Sequence, residues 1–271
     1  MSITNSAEPA TARYGDPAAT LGVGTDVLSL QLARRSVRKF GSRAVTDDEL
    51  TALIAAAQSA PTSSNLQPWS VVAVRDPERK SRLAGLAGAQ SFIDQAPLFL
   101  VWVADLSRAR RLAGRAGTEV AAADYLETTL IGFVDTALAA QNAVLAAESL
   151  GLGSVFVGAI RNHPEQVAAE LALPPHAVAT FGLAVGAPDP TERAAVKPRL
   201  PQAAVLHHER YDPAADTHIA AYDETLSAYN SRFGLAGNWT DRVLARLRGP
   251  ESMAGRHRLR ETLERLGLPS R

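Results

Sequence analysis

Cysteine is absent from this 271-residue chain. Without a thiol there is no cysteine nucleophile, no disulfide, no iron–sulfur cluster and no zinc ribbon, so any redox chemistry needs a borrowed cofactor. Net charge is missing too. The 28 lysines and arginines balance 28 aspartates and glutamates, which removes the broad basic footprint that nucleic acid or an anionic membrane requires. An anion site must therefore be local. Lysine is scarce, with only Lys39, Lys80 and Lys197 against 25 arginines, so each lysine stands out for the chemistry of its amine. The six histidines lack metal-ligand spacing, and neighbours such as His207 and His208 would point to opposite faces of a strand. No metal is expected. No run of eighteen apolar residues goes uninterrupted, so the expectation is a soluble, cytoplasmic protein with neither a membrane nor a nucleic acid as partner.

What is present is globular. Hydrophobic residues make up 46% of the chain, enough at this length for a large core. The first 24 residues are small, polar and proline-containing, without the apolar core of a secretory signal, and are expected to be a disordered tail. Residues 25–271 are expected to form a single domain with an arginine-rich helical extension from about Ile219. Within it the period alternates. "TDDELTALIAAAQSAP" reads as a capped helix, "WSVVAVRD" and "PLFLVWVAD" as strands with a helix opening at Pro77 between them, "GSVFVGAI" and "VATFGLAVGAP" as further strands, and "NHPEQVAAELAL" as a helix. The longest helical pattern runs from Glu119 to Leu150, roughly 45–50 Å at the α-helical rise. Its middle, "IGFVDTALAAQNAVLAA", is apolar on nearly every side, which suits either the centre of a large core or burial by a second subunit. Short strands among many helices, with no repeating βαβ rhythm, indicate an α+β layer structure.

Four segments carry candidate chemistry. In "RRSVRKF", Arg34, Arg35 and Arg38 stand at i, i+1 and i+4, where a helix would gather them around one phosphate; the alternative is a solvated basic helix end. "SAPTSSNLQPWS" offers neutral hydroxyls and amides of the kind a polyhydroxylated ligand needs, or is a plain polar loop. "GLGSVFVGAIRN" has the wrong glycine spacing for a dinucleotide fingerprint, but Gly158 at a strand end permits close approach of its backbone to a flat ligand; a bulge is the other reading. In "VKPRLP", Pro198 holds its neighbour extended, so that Lys197 and Arg199 share a face. Together these segments compose one ligand, FMN: arginines for phosphate, hydroxyls for the ribityl chain, a glycine N–H and a lysine for a heterocycle.

From Arg34 to Arg271 the order and wording of these segments resemble the oxygen-insensitive NADPH nitroreductases and NADPH:flavin oxidoreductases of the nitroreductase superfamily. The resemblance rests on "RRSVRKF", "VDTALAAQNAVLAAESLGLGSVFVGAIRN", "FGLAVGAP", "KPRLP" and "YDETLSAY". It implies a nitroreductase-like α+β fold, with a mixed or antiparallel sheet flanked by helices, in an intertwined homodimer whose long central helix is shared. It also implies tightly bound FMN, NADPH as hydride donor with NADH as the alternative, and ping-pong hydride transfer to nitroaromatics, quinones or free flavins. By position it assigns Arg34, Arg35, Ser36 and Arg38 to the phosphate and ribityl end, Arg34 standing where the family usually has histidine. Ser63, Ser64, Asn65 and Gln90 become flavin contacts, and Phe156, Val157, Gly158 and Ala159 the stretch passing the ring. Lys197 would sit at the ring and Arg199 at the phosphate. The chemistry would lie on FMN with no catalytic side chain, Lys197 and Gly158 tuning it. Arg232 would read the 2′-phosphate of NADPH in a loop two residues shorter than the family's, with the usual second arginine missing. Met253 replaces a substrate-side arginine. The same fold also hosts flavin-modifying and dehalogenating proteins, and a non-catalytic anion-binding regulator is the reading from another class.

Overall fold

The computed structural model describes residues 7–16 and 18–271. In chain order they form α1 (Ala7–Tyr14), α2 (Asp26–Ala33), α3 (Asp47–Gln58), β1 (Trp69–Val74), α4 (Pro77–Leu86), α5 (Ser91–Gln95), β2 (Leu98–Asp105), α6 (Ser107–Ala116), α7 (Leu126–Ser149), β3 (Gly153–Val157), α8 (Pro164–Glu170), β4 (Ala177–Gly186), α9 (Ile219–Ser231), α10 (Trp239–Leu247) and α11 (Leu259–Arg265). The class is α+β, as expected. The chain divides into two compact units, one combining the part up to Arg35 with Ala194–Met253, the other combining Ser36–Arg193 with Ala254–Arg271. This partition differs from a tail of 1–24 followed by one domain of 25–271. Residues 1–6 of that tail lie outside the described residues, but residues 7–14 are helical.

In the larger unit the strands take the order β1-β2-β4-β3 with antiparallel neighbours throughout, and one parallel bridge joins Ser36 to Ser154. All eight residues of β2 are buried. Leu98, Leu100 and Trp102 face a cluster with Leu53 of α3 and Ala139, Ala140 and Ala143 of α7. Phe99 and Val101 face the opposite cluster, with Leu83 of α4, Ile93 of α5 and Val167 of α8. That is period-2 alternation with both faces dry. Gly182 of β4 makes it possible, because a Cβ there would lie 2.2 Å from Cζ of Phe99. Helix α3 begins as read from the sequence: Thr46 Oγ1 accepts the Glu49 N–H at 3.1 Å, and Glu49 Oε2 accepts the Thr46 N–H at 2.8 Å.

The long helix is shorter than its pattern. Tyr125 is extended (φ −94°, ψ 152°), and the Leu126 N–H donates to the carbonyl of Arg271 at 3.1 Å. A tertiary partner thus ends at Leu126 a periodicity that local sequence carries back to Glu119, leaving a helix of about 36 Å. Its two sides differ. Gly132, Thr136, Ala139, Ala140, Ala143 and Ala147 are buried, small enough for the helix to lie close on the sheet. Leu126, Leu130, Val134 and Leu138, spaced one turn apart, are 43%, 50%, 55% and 40% exposed. The helix is long and apolar enough to cross a membrane by length and composition, yet its inner face belongs to the core.

In the smaller unit, α1 delivers Arg13, only 8% exposed. Its guanidinium donates to the carbonyls of Leu32 (2.9 and 3.2 Å), Arg34 (2.5 Å) and Lys197 (3.0 Å). An eight-residue helix is marginal alone, so α1 depends on these distant acceptors, which composition does not reveal.

At the end of β2, Asp105 is 8% exposed. Its carboxylate accepts from Ser70 Oγ at 2.7 Å, from the Ser107 N–H at 3.0 Å and from the Ser107 hydroxyl, with Arg108 Nη2 3.9 Å away. Burial pushes its pKa up, but the hydrogen bonds from Ser107 and Ser70 and the Arg108 charge outweigh it and hold the group below the usual aspartate value. The ionised carboxylate therefore stabilises the fold above the ordinary carboxylate range, and that contribution is lost as pH falls through the lowered folded value. Asp105→Asn is expected to cost about 1.5–3 kcal/mol at neutral pH, with the gap closing in acid. Urea unfolding of both proteins at neutral and acid pH checks this, and a gap that persists in acid contradicts it.

Candidate functional site

Helix α2 stops at Ala33, and Arg34 has φ −56° and ψ 132°. The chain then runs extended, with the Val37 N–H donating to Ser154 O at 3.0 Å. Arg34, Arg35 and Arg38 therefore do not stack on a helix face, because pairing beside β3 overrides the local i, i+4 spacing. Ser36 is held by the same pairing. The Arg38 side chain is exposed, and the backbone N–H groups of Arg38 and Lys39 both donate to Glu192 Oε2, at 2.7 and 2.8 Å.

The loop with Ser63, Ser64 and Asn65 is exposed and strained, with Ser64 at φ 47° and Asn65 at φ 55°. A residue that sequence reasoning missed holds it there. Asp135 of α7, 3% exposed, accepts from Thr62 Oγ1 at 2.5 Å and from the Ser63 N–H at 3.2 Å. The signal was an acid in the middle of an otherwise apolar helix, where a buried carboxylate demands donors. Gln90 precedes α5, and its amide donates to Gly88 O at 3.4 Å. A Cβ on Gly88 would come within 3.9 Å of Gln90 Nε2 and 3.6 Å of Asn162 Nδ2, so Gln90 lies by the turn that follows β3.

That turn is the stretch expected at the flat ligand. Val157 is buried and ends β3, while Phe156, Gly158 and Ala159 are half-buried. The Phe156 ring meets Phe181 edge-on at 5.2 Å between centroids. Phe156, Phe181, Gly158 and Arg161, with Ala137 and Gln141 of α7, line an apolar cavity of about 350 Å³.

In the smaller unit the clamp of Arg13 brings the backbone of Arg34 to that of Lys197. Arg34 and Arg35 are half-buried, and Arg35 Nε is buried without a hydrogen-bond partner. Lys197 Nζ lies 5.8 Å from the Tyr229 ring centroid, within cation–π range. The exposed Arg199 folds its guanidinium back to Lys197 O at 3.1 Å, and its N–H donates to Arg13 O at 2.9 Å. The "YDETLSAY" segment holds this strip in place: Tyr222 Oη donates to Pro198 O at 2.9 Å and Tyr229 Oη to Ala195 O at 3.1 Å. Arg232 caps α9, and with Val196, Pro198 and Tyr229 it lines a cavity of about 430 Å³. Its loop is closed by Asn230 Nδ2 donating to Gly237 O at 2.8 Å and by Asp223 accepting the N–H groups of Trp239 and Thr240 at 3.0 and 2.9 Å.

These donors fit the chemistry of FMN. In the larger unit the exposed hydroxyls of Ser63 and Ser64 suit a ribityl chain, and the Phe156–Gly158 stretch gives a flat apolar body an edge with backbone within reach; in the smaller unit, taken by itself, the orphaned Arg35 Nε asks for an acceptor of the kind a phosphate offers.

The chain matches the nitroreductase family over residues 32–187 and the C-terminal domain of that family over residues 197–271. It is 38% identical over 221 residues to the NADPH-flavin oxidoreductase of Vibrio harveyi, covering 80% of this chain and 89% of that one. It is 39% identical over 219 residues to the oxygen-insensitive NADPH nitroreductase of Salmonella typhimurium, covering 80% and 88%. The solved structure of the Vibrio harveyi NADPH:FMN oxidoreductase in complex with NAD+ superposes with a TM-score of 0.82 at 37% identity, covering 91% of this chain and all of that one. On sequence and on structure alike, the chain belongs to the nitroreductase family.

Proposed function

We propose that this protein is an FMN-dependent oxidoreductase that takes reducing equivalents from NADPH and delivers them to nitroaromatics, quinones or free flavins. The observation that carries the reading is the arrangement around Arg13, which holds the Arg34 backbone and the Lys197–Arg199 strip together, Lys197 lying 184 residues along the sequence from Arg13. Cations suited to a phosphate and a lysine suited to a heterocycle are thereby gathered within one unit. When bound, FMN supplies the hydride chemistry, accepting from the nicotinamide and passing electrons to the acceptor. The chain's part is to bind and orient. Arg34, Arg35, Ser36, Arg38 and Arg199 take the phosphate and ribityl end, with Ser63, Ser64, Asn65 and Gln90 as neutral partners. The stretch from Phe156 to Ala159 flanks the ring. Lys197 supplies a fixed positive charge where negative charge develops on reduction. The protein is expected to purify yellow, and Arg199→Ala or Arg38→Ala to weaken FMN retention by about 10- to 100-fold, the value of one charge-assisted contact. Fluorescence titration of stripped protein with FMN measures this; colourless protein that takes up no FMN overturns the reading.

Arg232 is proposed to read the 2′-phosphate of NADPH. With one arginine in place of the family's pair, the NADPH preference is expected to be modest, and Arg232→Ala to remove most of it, a factor of about 10 to 100. The measurement is kcat/KM for NADPH and NADH, wild type and variant, at one fixed salt concentration. A variant that keeps the full wild-type ratio shows that another residue reads the phosphate.

The assembly is proposed to be a homodimer, in the cytoplasm, joined through the outer face of α7. Leu126, Leu130, Val134 and Leu138 form a one-turn-spaced apolar stripe left bare by the chain itself, and a second copy of α7 would cover it. Val134→Asp is expected to shift sedimentation from dimer to monomer at micromolar protein. A wild-type protein that sediments as a folded monomer at that concentration contradicts the dimer.

A further inference from the structure

The pairing of β2 with β4 contains one irregularity. Trp102 pairs with Phe181 while its neighbour Val103 pairs with Ala179, so Thr180 is left without a partner in the register. A bulge of this kind frees a carbonyl and re-aims what surrounds it. Here the Thr180 carbonyl accepts from Arg161 Nη1. Arg161 is thereby fixed over the turn that follows β3, and its Nη2 lies 3.5 Å from the position a Cβ on Gly158 would occupy. Arg256 Nη1 reaches the same position at 3.9 Å. Two guanidinium groups from segments almost a hundred residues apart thus converge on one glycine of the ring-flanking stretch.

Arg161, Arg256, Arg258 and Arg265 line a cavity of about 200 Å³ together with Asn162 and Glu165. Glu165, the one carboxylate among the described lining residues, is engaged by Arg265 Nε at 2.5 Å. Burial lowers the pKa of the Arg161 guanidinium and the neighbouring Arg256 charge lowers it further, so the two cations destabilise one another. An anion at this place would relieve that cost. The cationic cavity also shares Arg161 with the apolar cavity beside Phe156, Gly158 and Phe181. A ligand with a flat ring on the apolar side would present a ring substituent to the two arginines.

We infer that Arg161 and Arg256 form an anion subsite beside Gly158 that selects aromatic electron acceptors bearing a carboxylate. This rests on the flavin-oxidoreductase reading above and names the acceptor class for it. Planar guanidinium forks match a carboxylate in geometry and charge, whereas a neutral amide of the same shape gains little from them.

The test uses matched pairs. Binding of benzoate and of benzamide to the FMN-loaded protein is measured by calorimetry, and kcat/KM is measured for para-nitrobenzoate and para-nitrobenzamide with NADPH. The carboxylate is expected to be preferred in both, and Arg256→Gln to reduce both preferences about 10- to 100-fold, with Arg256→Lys restoring part. Equal weakening of acid and amide overturns the subsite, as does an unchanged preference. A loss confined to the NADPH half-reaction also overturns it, by assigning the arginines to the nucleotide. Failure of the two proposals is separable. FMN-loaded enzyme without a carboxylate preference removes the subsite alone, whereas protein that takes up no FMN yet binds benzoate through Arg256 removes the flavin reading and keeps the subsite.

Discussion

Strand β2 has no face in water, and that constraint governs the larger unit. A strand buried on both sides requires two covering layers, so α3 and α7 must lie on one side and α4, α5 and α8 on the other. The close approach of α7 requires its small inner residues, and the seating of the Phe99 ring on the opposite side requires Gly182 beneath it. Once α7 is seated, Asp135 reaches Thr62 and Ser63, and the hydroxyl-rich loop takes its strained form. Residues held at left-handed φ cost about 1–3 kcal/mol each, and a buried carboxylate with fixed donors is the kind of support that keeps them there. The position of the loop is thus a downstream result of how the central strand is buried.

The same strand sets the chemistry at the other end of the sheet. The register slip between Trp102 and Val103 frees the Thr180 carbonyl, and Arg161 follows that carbonyl to Gly158. The larger unit therefore presents an apolar cavity and a cationic one on either side of a single turn. The smaller unit works by a different device, a buried guanidinium satisfied by main-chain carbonyls, which organises a strip that has little hydrophobic core of its own.

Much of this is legible in the sequence where the determining interactions are local. The capping box of Thr46 and Glu49 announces α3, Pro77 opens α4, and the apolar runs at 98–105 and 177–186 read as strands by their short length, their flanking proline and glycine and their content of β-branched and aromatic residues. The family itself is legible from the order of its motifs. What escapes is decided at long range. The helical stacking of Arg34 and Arg38 fails because Ser36 and Val37 pair with Ser154, and the pattern from Glu119 breaks at Tyr125 because the Arg271 carbonyl captures the Leu126 N–H. Helix α1 lies in a stretch of tail-like composition, since one arginine and three distant carbonyls make it stable. Of the residues assigned by resemblance, Lys197 and Arg199 keep company with Arg34 in one unit, whereas Ser36, Arg38, the serine loop, Gln90 and the Gly158 stretch belong to the other.

The clamp made by Arg13 has a consequence for biosynthesis. The smaller unit is interrupted in sequence, leaving at Arg35 and resuming at Ala194. During translation, Arg13 leaves the ribosome 184 residues ahead of Lys197, one of the carbonyls it is built to satisfy. The nascent α1 can meet the carbonyls of Leu32 and Arg34 early, but its bond to Lys197 must wait while the intervening segment is synthesised. Vectorial folding is therefore left incomplete for this unit: its first helix makes its near contacts early, and its clamp closes only after the chain has been translated past the 197–199 strip.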